Sequence, residues 1–274
     1  MIKRKSMLMT FLPSLIPCFK DFASIQSDFL GTGEINLGRL QWIYPTTFLP
    51  TISLLLKNPG AKYYPPQNTD AASYIENMLK SGLGYKPSIC SYVPPIPLPD
   101  DESKLDPVLA EVYRLNNDGK EYGGQNAFKY LIGELVANIY EHSKFNHAFI
   151  MAQKYQKKGF VDISIFDDGI TIPGSLSIAG MIFNKDVEFI GEAINGLSSK
   201  KLKERGYGLH TNVRICTEGL GANMMIASRQ GLLNIEGKEQ KGYILKDEYK
   251  LSGTSISIRI PYPAKEVDIY AYQN

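Results

Sequence analysis

Cysteine is scarce in this chain, and its scarcity excludes whole classes of protein. Cys18, Cys90 and Cys216 are three, widely spaced, and form no Cys-x-x-Cys pair. An odd, scattered set makes neither a disulfide framework nor a cysteine zinc site, and suits reduced thiols in a cytoplasmic protein. Charge of one sign is lacking as well: 30 basic against 28 acidic side chains leave a formal +2, without a long basic block. Nucleic acid is therefore not an expected partner. Long apolar runs are missing too. Residues 43–56 are apolar but shorter than the roughly 20 residues that span a bilayer, and Pro45 and Pro50 interrupt them. Residues 3–5 are basic and residues 7–19 apolar, a faint likeness to a signal peptide, but Pro13 and Pro17 break the run and no clear small-x-small site follows. Neither export nor a membrane is expected. Internal repeats and low-complexity tracts are also lacking.

What is present divides in two. At 43% hydrophobic content, 274 residues suffice for two small domains or one large one. Residues 1–100 read as a small N-terminal α/β unit. Residues 34–40 alternate like a strand, and 46–57 suit a helix with Pro50 in its first turn that Asn58-Pro59-Gly60 ends. Residues 62–64 make another short strand, and Asp70 caps a helix over 71–79. Strand–helix–strand–helix alternation predicts parallel pairing. Residues 93–101, VPPIPLPDD, hold four prolines and read as an extended connector, which places the domain boundary there.

Residues 101–274 form the second domain. Ser103 or Asp106 caps a helix running to about residue 115, and a polar loop leads into the apolar stripe of residues 128–143. Residues 148–155 and 161–167 flank a hairpin turn at 156–159. Helices are predicted over 188–195 and 206–218, and strands over 223–229, 232–236, 242–249 and 253–262. The pattern predicts an α+β fold: a two-layer sandwich whose mixed, mainly antiparallel sheet carries helices on one face.

In the stretch FKYLIGELVANIYEHS, Phe128, Leu131, Ile132, Leu135, Val136 and Ile139 form one apolar stripe. Glu134, Asn138 and His142 recur every four residues along its border. A carboxylate, an amide and an imidazole in line along a buried helix cost free energy unless something satisfies them. Downstream stand Asp167-Asp168-Gly169, then Arg205-Gly206-Tyr207-Gly208-Leu209, then Gly253-Thr254. In this order, with Glu134-x-x-x-Asn138, they resemble the four nucleotide-binding boxes of the GHKL superfamily of gyrase, heat-shock chaperone, histidine kinase and MutL-type ATPases. The resemblance covers roughly residues 126–261 and implies a Bergerat-type, histidine-kinase-like ATP-binding domain. The first hundred residues either resemble a degenerate STAS-like module or form an N-terminal extension packed against the ATP-binding domain.

The resemblance implies ATP and Mg²⁺ as cofactors. Asn138 takes the metal, since an amide oxygen is a hard, neutral ligand, and Glu134 takes the role of general base for the attacking water. His142 either contacts phosphate or is a structural histidine. Asp167 accepts from the adenine amino group, Gly169 permits the turn beneath the base, and the Thr254 hydroxyl supports Asp167. Thr171 stands where the box has its second glycine, a departure from the pattern. Residues 191–205 correspond to the lid, with Lys201 among its cations. Gly206, Tyr207, Gly208 and Leu209 present backbone N–H groups to phosphate at a helix start. No Gly-Lys-Ser/Thr follows them, so this is not a Walker loop.

The expected function is thus that of a slow ATPase or an ATP-driven conformational switch, with a protein partner or a second copy as its client. The alternatives are a serine kinase of the anti-sigma type acting on a STAS-like partner, and a non-catalytic nucleotide sensor, which Thr171 favours. A self-phosphorylating histidine kinase is disfavoured because no dimerisation and phosphoacceptor helix precedes the domain. The transducer-bearing classes are disfavoured because the chain stops soon after the strand of Gly253-Thr254.

Overall fold

One of the two prolines that interrupt the N-terminal apolar run, Pro17, begins a helix. In the computed structural model, which describes residues 12–82, 91–115, 125–197, 208–262 and 267–272, α1 (Ile16–Thr32) has Pro17 in its first turn, where a missing N–H is harmless. It closes on Gly33 at φ 72°, whose N–H bonds to Phe29. Then come β1 (Glu34–Asn36), α2 (Pro45–Lys57), β2 (Lys62–Tyr64) and α3 (Thr69–Gly82). β1 and β2 pair in parallel, as the alternation predicts.

The proline-rich stretch is not a free connector. Residues 92–97 form β3 (Tyr92–Pro97), which pairs with β4 (Ala148–Tyr155) and has an irregular register between Val93 and Ile96. It lies at the edge of the sheet, the one place where proline's missing donor is tolerated. α4 (Asp106–Leu115) and α5 (Gln125–His142) lead to β4, β5 (Phe160–Asp167), α6 (Ile172–Ile178) and α7 (Asp186–Ile194). α8 (Gly208–Arg214) runs on into a π turn over Ile215–Gly219. β6 (Asn223–Arg229), β7 (Gly231–Glu236), β8 (Glu239–Ile244) and β9 (Leu251–Pro261) complete the strands among the described residues.

The protein is α+β. Its seven-stranded sheet has the order β3-β4-β5-β9-β6-β7-β8, and every pairing in it is antiparallel. Side chains alternate faces along each strand. Ile150, Ile163, Ile165, Ile226 and Ile258 meet the stripe of α5 together with α4, α7 and α8. Phe149, Met151, Phe166 and Met225 point the other way, into a cluster with Phe19 and Phe22 of α1 and Phe48, Leu49 and Ile52 of α2. Helices therefore cover both faces rather than one, and the N-terminal helices share a core with the sheet. All eight residues of β5 are buried for this reason.

One ion pair lies inside the second core. Arg259 donates to Asp162 through Nε and Nη2 at 2.7 and 2.6 Å, and the two side chains are 2% and 1% exposed. Its Nη1 also donates to the carbonyl oxygens of Pro13 and Ser14, at 3.1 and 3.2 Å. Burial opposes the charge, but Asp162 outweighs it and holds the guanidinium protonated beyond its ordinary range. Trp42 Nε1 donates to the Tyr155 hydroxyl at 3.0 Å, a further tie between the N-terminal unit and β4. Among the described residues no helix is long and apolar enough to cross a membrane.

Candidate functional site

Asp167 ends β5, and its alternation with Ile163 and Ile165 puts its carboxyl on the α5 face of the sheet. It pairs with Thr254 of β9, which pairs in turn with Ser228 of β6. Residues directly opposite in antiparallel strands share a face, so Asp167, Thr254 and Ser228 form one polar row across three strands. The Ser228 and Thr254 hydroxyls bond at 2.9 Å, and Ser228 Oγ accepts the N–H of Ile172 at 3.1 Å. Ser228 escaped the sequence reading. Its signal was a hydroxyl at a core position, in phase with Met224 and Ile226.

The turn after Asp167 is locked onto the end of α5. Ile170 N–H donates to the Ser143 carbonyl at 2.7 Å, while Asn146 and His147 N–H donate to Asp168 Oδ1 at 2.9 and 2.8 Å. The three polar residues of α5 are half-buried, and His142, one residue before Ser143, brings their row to this turn. His142 Nε2 lies 3.7 Å from Glu141 Oε2.

Gly169 is needed for a reason other than the expected one. Its φ is not left-handed; a Cβ there would lie 2.1 Å from the Ser143 carbonyl oxygen. Thr171, the departure from the motif, keeps the glycine-type backbone at φ 73° and ψ 162°. That region costs a threonine on the order of 1–3 kcal/mol. Its Oγ1 offsets part of this by accepting the Gly174 N–H at 3.1 Å, which caps α6.

Gly253 has φ 134°, and a Cβ would lie 1.9 Å from the Asp167 carbonyl oxygen. Gly253→Ala is expected to lower stability by about 1–3 kcal/mol from φ alone, before the collision is counted. Thermal unfolding checks this, and a melting temperature within about one degree of wild type would contradict it.

Burial pushes the Asp167 carboxyl up to about 7, with Asp168 adding to it; the Gly169 N–H at 3.0 Å, the adjacent Ser143 hydroxyl and Lys57 pull the other way. Asp168 behaves oppositely. Burial raises it too, but the bonds from His147 and Asn146 and the charge of Lys57 outweigh burial and leave it below the usual carboxylate range.

Gly208 opens α8, and Leu209 is half-buried against the core. His210 Nδ1 is 2.7 Å from the Ile194 carbonyl oxygen, joining α8 to the end of α7. Lys201, Gly206 and Tyr207 lie outside the described residues. Among the described residues no three of histidine, cysteine, aspartate and glutamate cluster to hold a metal. A single amide ligand at Asn138 fits a magnesium ion that arrives on a triphosphate, because Mg²⁺ is usually held by one or two protein ligands plus phosphate and water. A cavity of about 260 Å³ lies elsewhere, lined by Asp28, Asn36, Gly38, Arg39 and Gln67. Its Arg39 and Asp28 pair at 3.2 Å, so they neutralise each other rather than await a ligand.

No family model, curated protein or solved structure matches this chain.

Proposed function

We propose that the protein binds Mg·ATP on the α5 face of the sheet and works as a slow ATPase whose nucleotide state drives a conformational change. One observation carries this reading. Asp167, Thr254 and the end of α5, far apart in sequence, meet around a buried carboxyl at the end of a strand. Asp167 accepts from the adenine amino group, with the Thr254 and Ser228 hydroxyls beside it in the row. Asn138 would hold the magnesium, which supplies charge neutralisation for the phosphates. Glu134, one helical turn before Asn138, orients and deprotonates the attacking water. Thr171 takes a positive-φ backbone of the kind glycine favours, which supports the reading that the turn survives the substitution. A cytoplasmic location, where ATP is abundant, goes with this function.

Incubation with γ-labelled ATP tests it. Label is expected to appear as free phosphate, at a low rate. Label retained on the protein or on an added partner would favour a kinase using the same pocket, and tight binding without release would favour a nucleotide sensor.

A further inference from the structure

Lys57 ends α2, a helix whose buried side chains share a core with the sheet. Its Nζ donates to the Ser252 carbonyl oxygen at 3.3 Å and lies 3.8 Å from Asp168 Oδ2. These two residues are the immediate neighbours of Gly253 and Asp167. Ser252 and Gly253 occupy the bulge where β9 shifts register against β6, between the pairs Ser228–Thr254 and Arg229–Leu251. The two strand ends are in backbone contact there, as the 1.9 Å and 2.9 Å approaches of a Gly253 Cβ to Asp167 O and Asp168 Cα require. The Asp168 side chain is itself fixed by backbone donors and is 3% exposed, whereas the Lys57 side chain is 39% exposed. The lysine thus braces two strand ends from an element outside all four sequence boxes.

We propose that Lys57 is a positioning residue for the adenine-recognising turn, through which the packing of the N-terminal unit sets the site's affinity and selectivity for the base. This rests on the nucleotide-binding reading above. An acceptor selects its donor only when its place is fixed before binding; freedom left in the turn must be removed on binding and weakens it. Among the described residues, the groups proposed for metal and phosphate lie on α5 and α8, other elements of the fold, so loss of the brace falls on base selection.

Calorimetric titration of Mg·ATP, Mg·GTP and magnesium tripolyphosphate into wild type, Lys57→Met and Lys57→Arg tests this, with melting temperatures to show that each variant is folded. Lys57→Met is expected to weaken ATP about two- to fivefold, the scale of one partly exposed charged contact. It should also narrow the preference for ATP over GTP and leave tripolyphosphate affinity unchanged, and Lys57→Arg should restore both. Unchanged ATP affinity in Lys57→Met, or equal losses for ATP and tripolyphosphate, would overturn this inference and leave the functional reading standing. A wild-type protein that binds none of the three would overturn the functional reading, and this inference with it.

Discussion

Glu134→Ala is expected to bind ATP as wild type does and to lose turnover by roughly 10²–10⁴-fold, the usual contribution of a positioned base. A base acts in the transition state, so its removal leaves ground-state affinity in place. Glu134 is half-buried on the border of α5, beside the fully buried Leu135 and Val136. Truncating it opens no cavity in the apolar stripe, and the helix should persist. Phosphate release and nucleotide affinity, measured on the same preparation, separate the outcomes. Unaltered turnover would remove Glu134 from the mechanism; affinity lost together with turnover would make it a binding residue.

Arg259→Met is expected to destabilise the fold by about 3–5 kcal/mol, because it leaves the buried Asp162 without its partner. The guanidinium also holds the Pro13 and Ser14 carbonyls, so the start of α1 should loosen in the same variant. Pairing it with Asp162→Leu removes the stranded charge, and an apolar pair of similar volume is often tolerated. The double variant is therefore expected to recover much of the loss, short of the share owed to the two carbonyls. Denaturant unfolding of the single and double variants gives both numbers. A single variant within about 1 kcal/mol of wild type would show that the pair adds little.

The legible parts of this protein were those with a local period or a local motif. The stripe of α5 and its polar border follow from spacing alone, and β4, β5 and the 156–159 turn follow from alternation. Prolines misled in three places, one of them Pro50, which lies inside α2 while Pro45 takes the first turn. Pro17 marks the start of α1 rather than the breaking of an apolar run, and Pro94, Pro95 and Pro97 lie on an edge strand rather than in a free linker. Whether a proline interrupts or begins an element depends on what lies across from it, which sequence order does not encode. The same holds for Ser228 and Lys57. Their roles arise from strand register and from the packing of α2, contacts made across 26 residues for the first and 195 for the second. Thr171 was legible as a departure, but not as a residue that keeps the glycine conformation while capping a helix.

The central claim is that Asp167 recognises adenine, and calorimetry of Mg·ATP binding to wild type and Asp167→Asn at pH 8 tests it most directly. Gly169 N–H occupies Oδ1, so in the variant an amide NH₂ faces the adenine amino group, donor against donor. The expected loss is about 1–3 kcal/mol of binding, the cost of leaving a buried polar group unpaired. Stability should move the other way. A carboxyl raised on folding from 3.8 to about 7 lends stability at low pH and loses it as pH climbs through that window. The free variant should therefore melt higher than wild type at pH 8, with the gap closing toward pH 4. Weaker ATP binding in a more stable protein is the predicted result. Equal ATP affinity in the two proteins, or no ATP binding by wild type, would contradict the account.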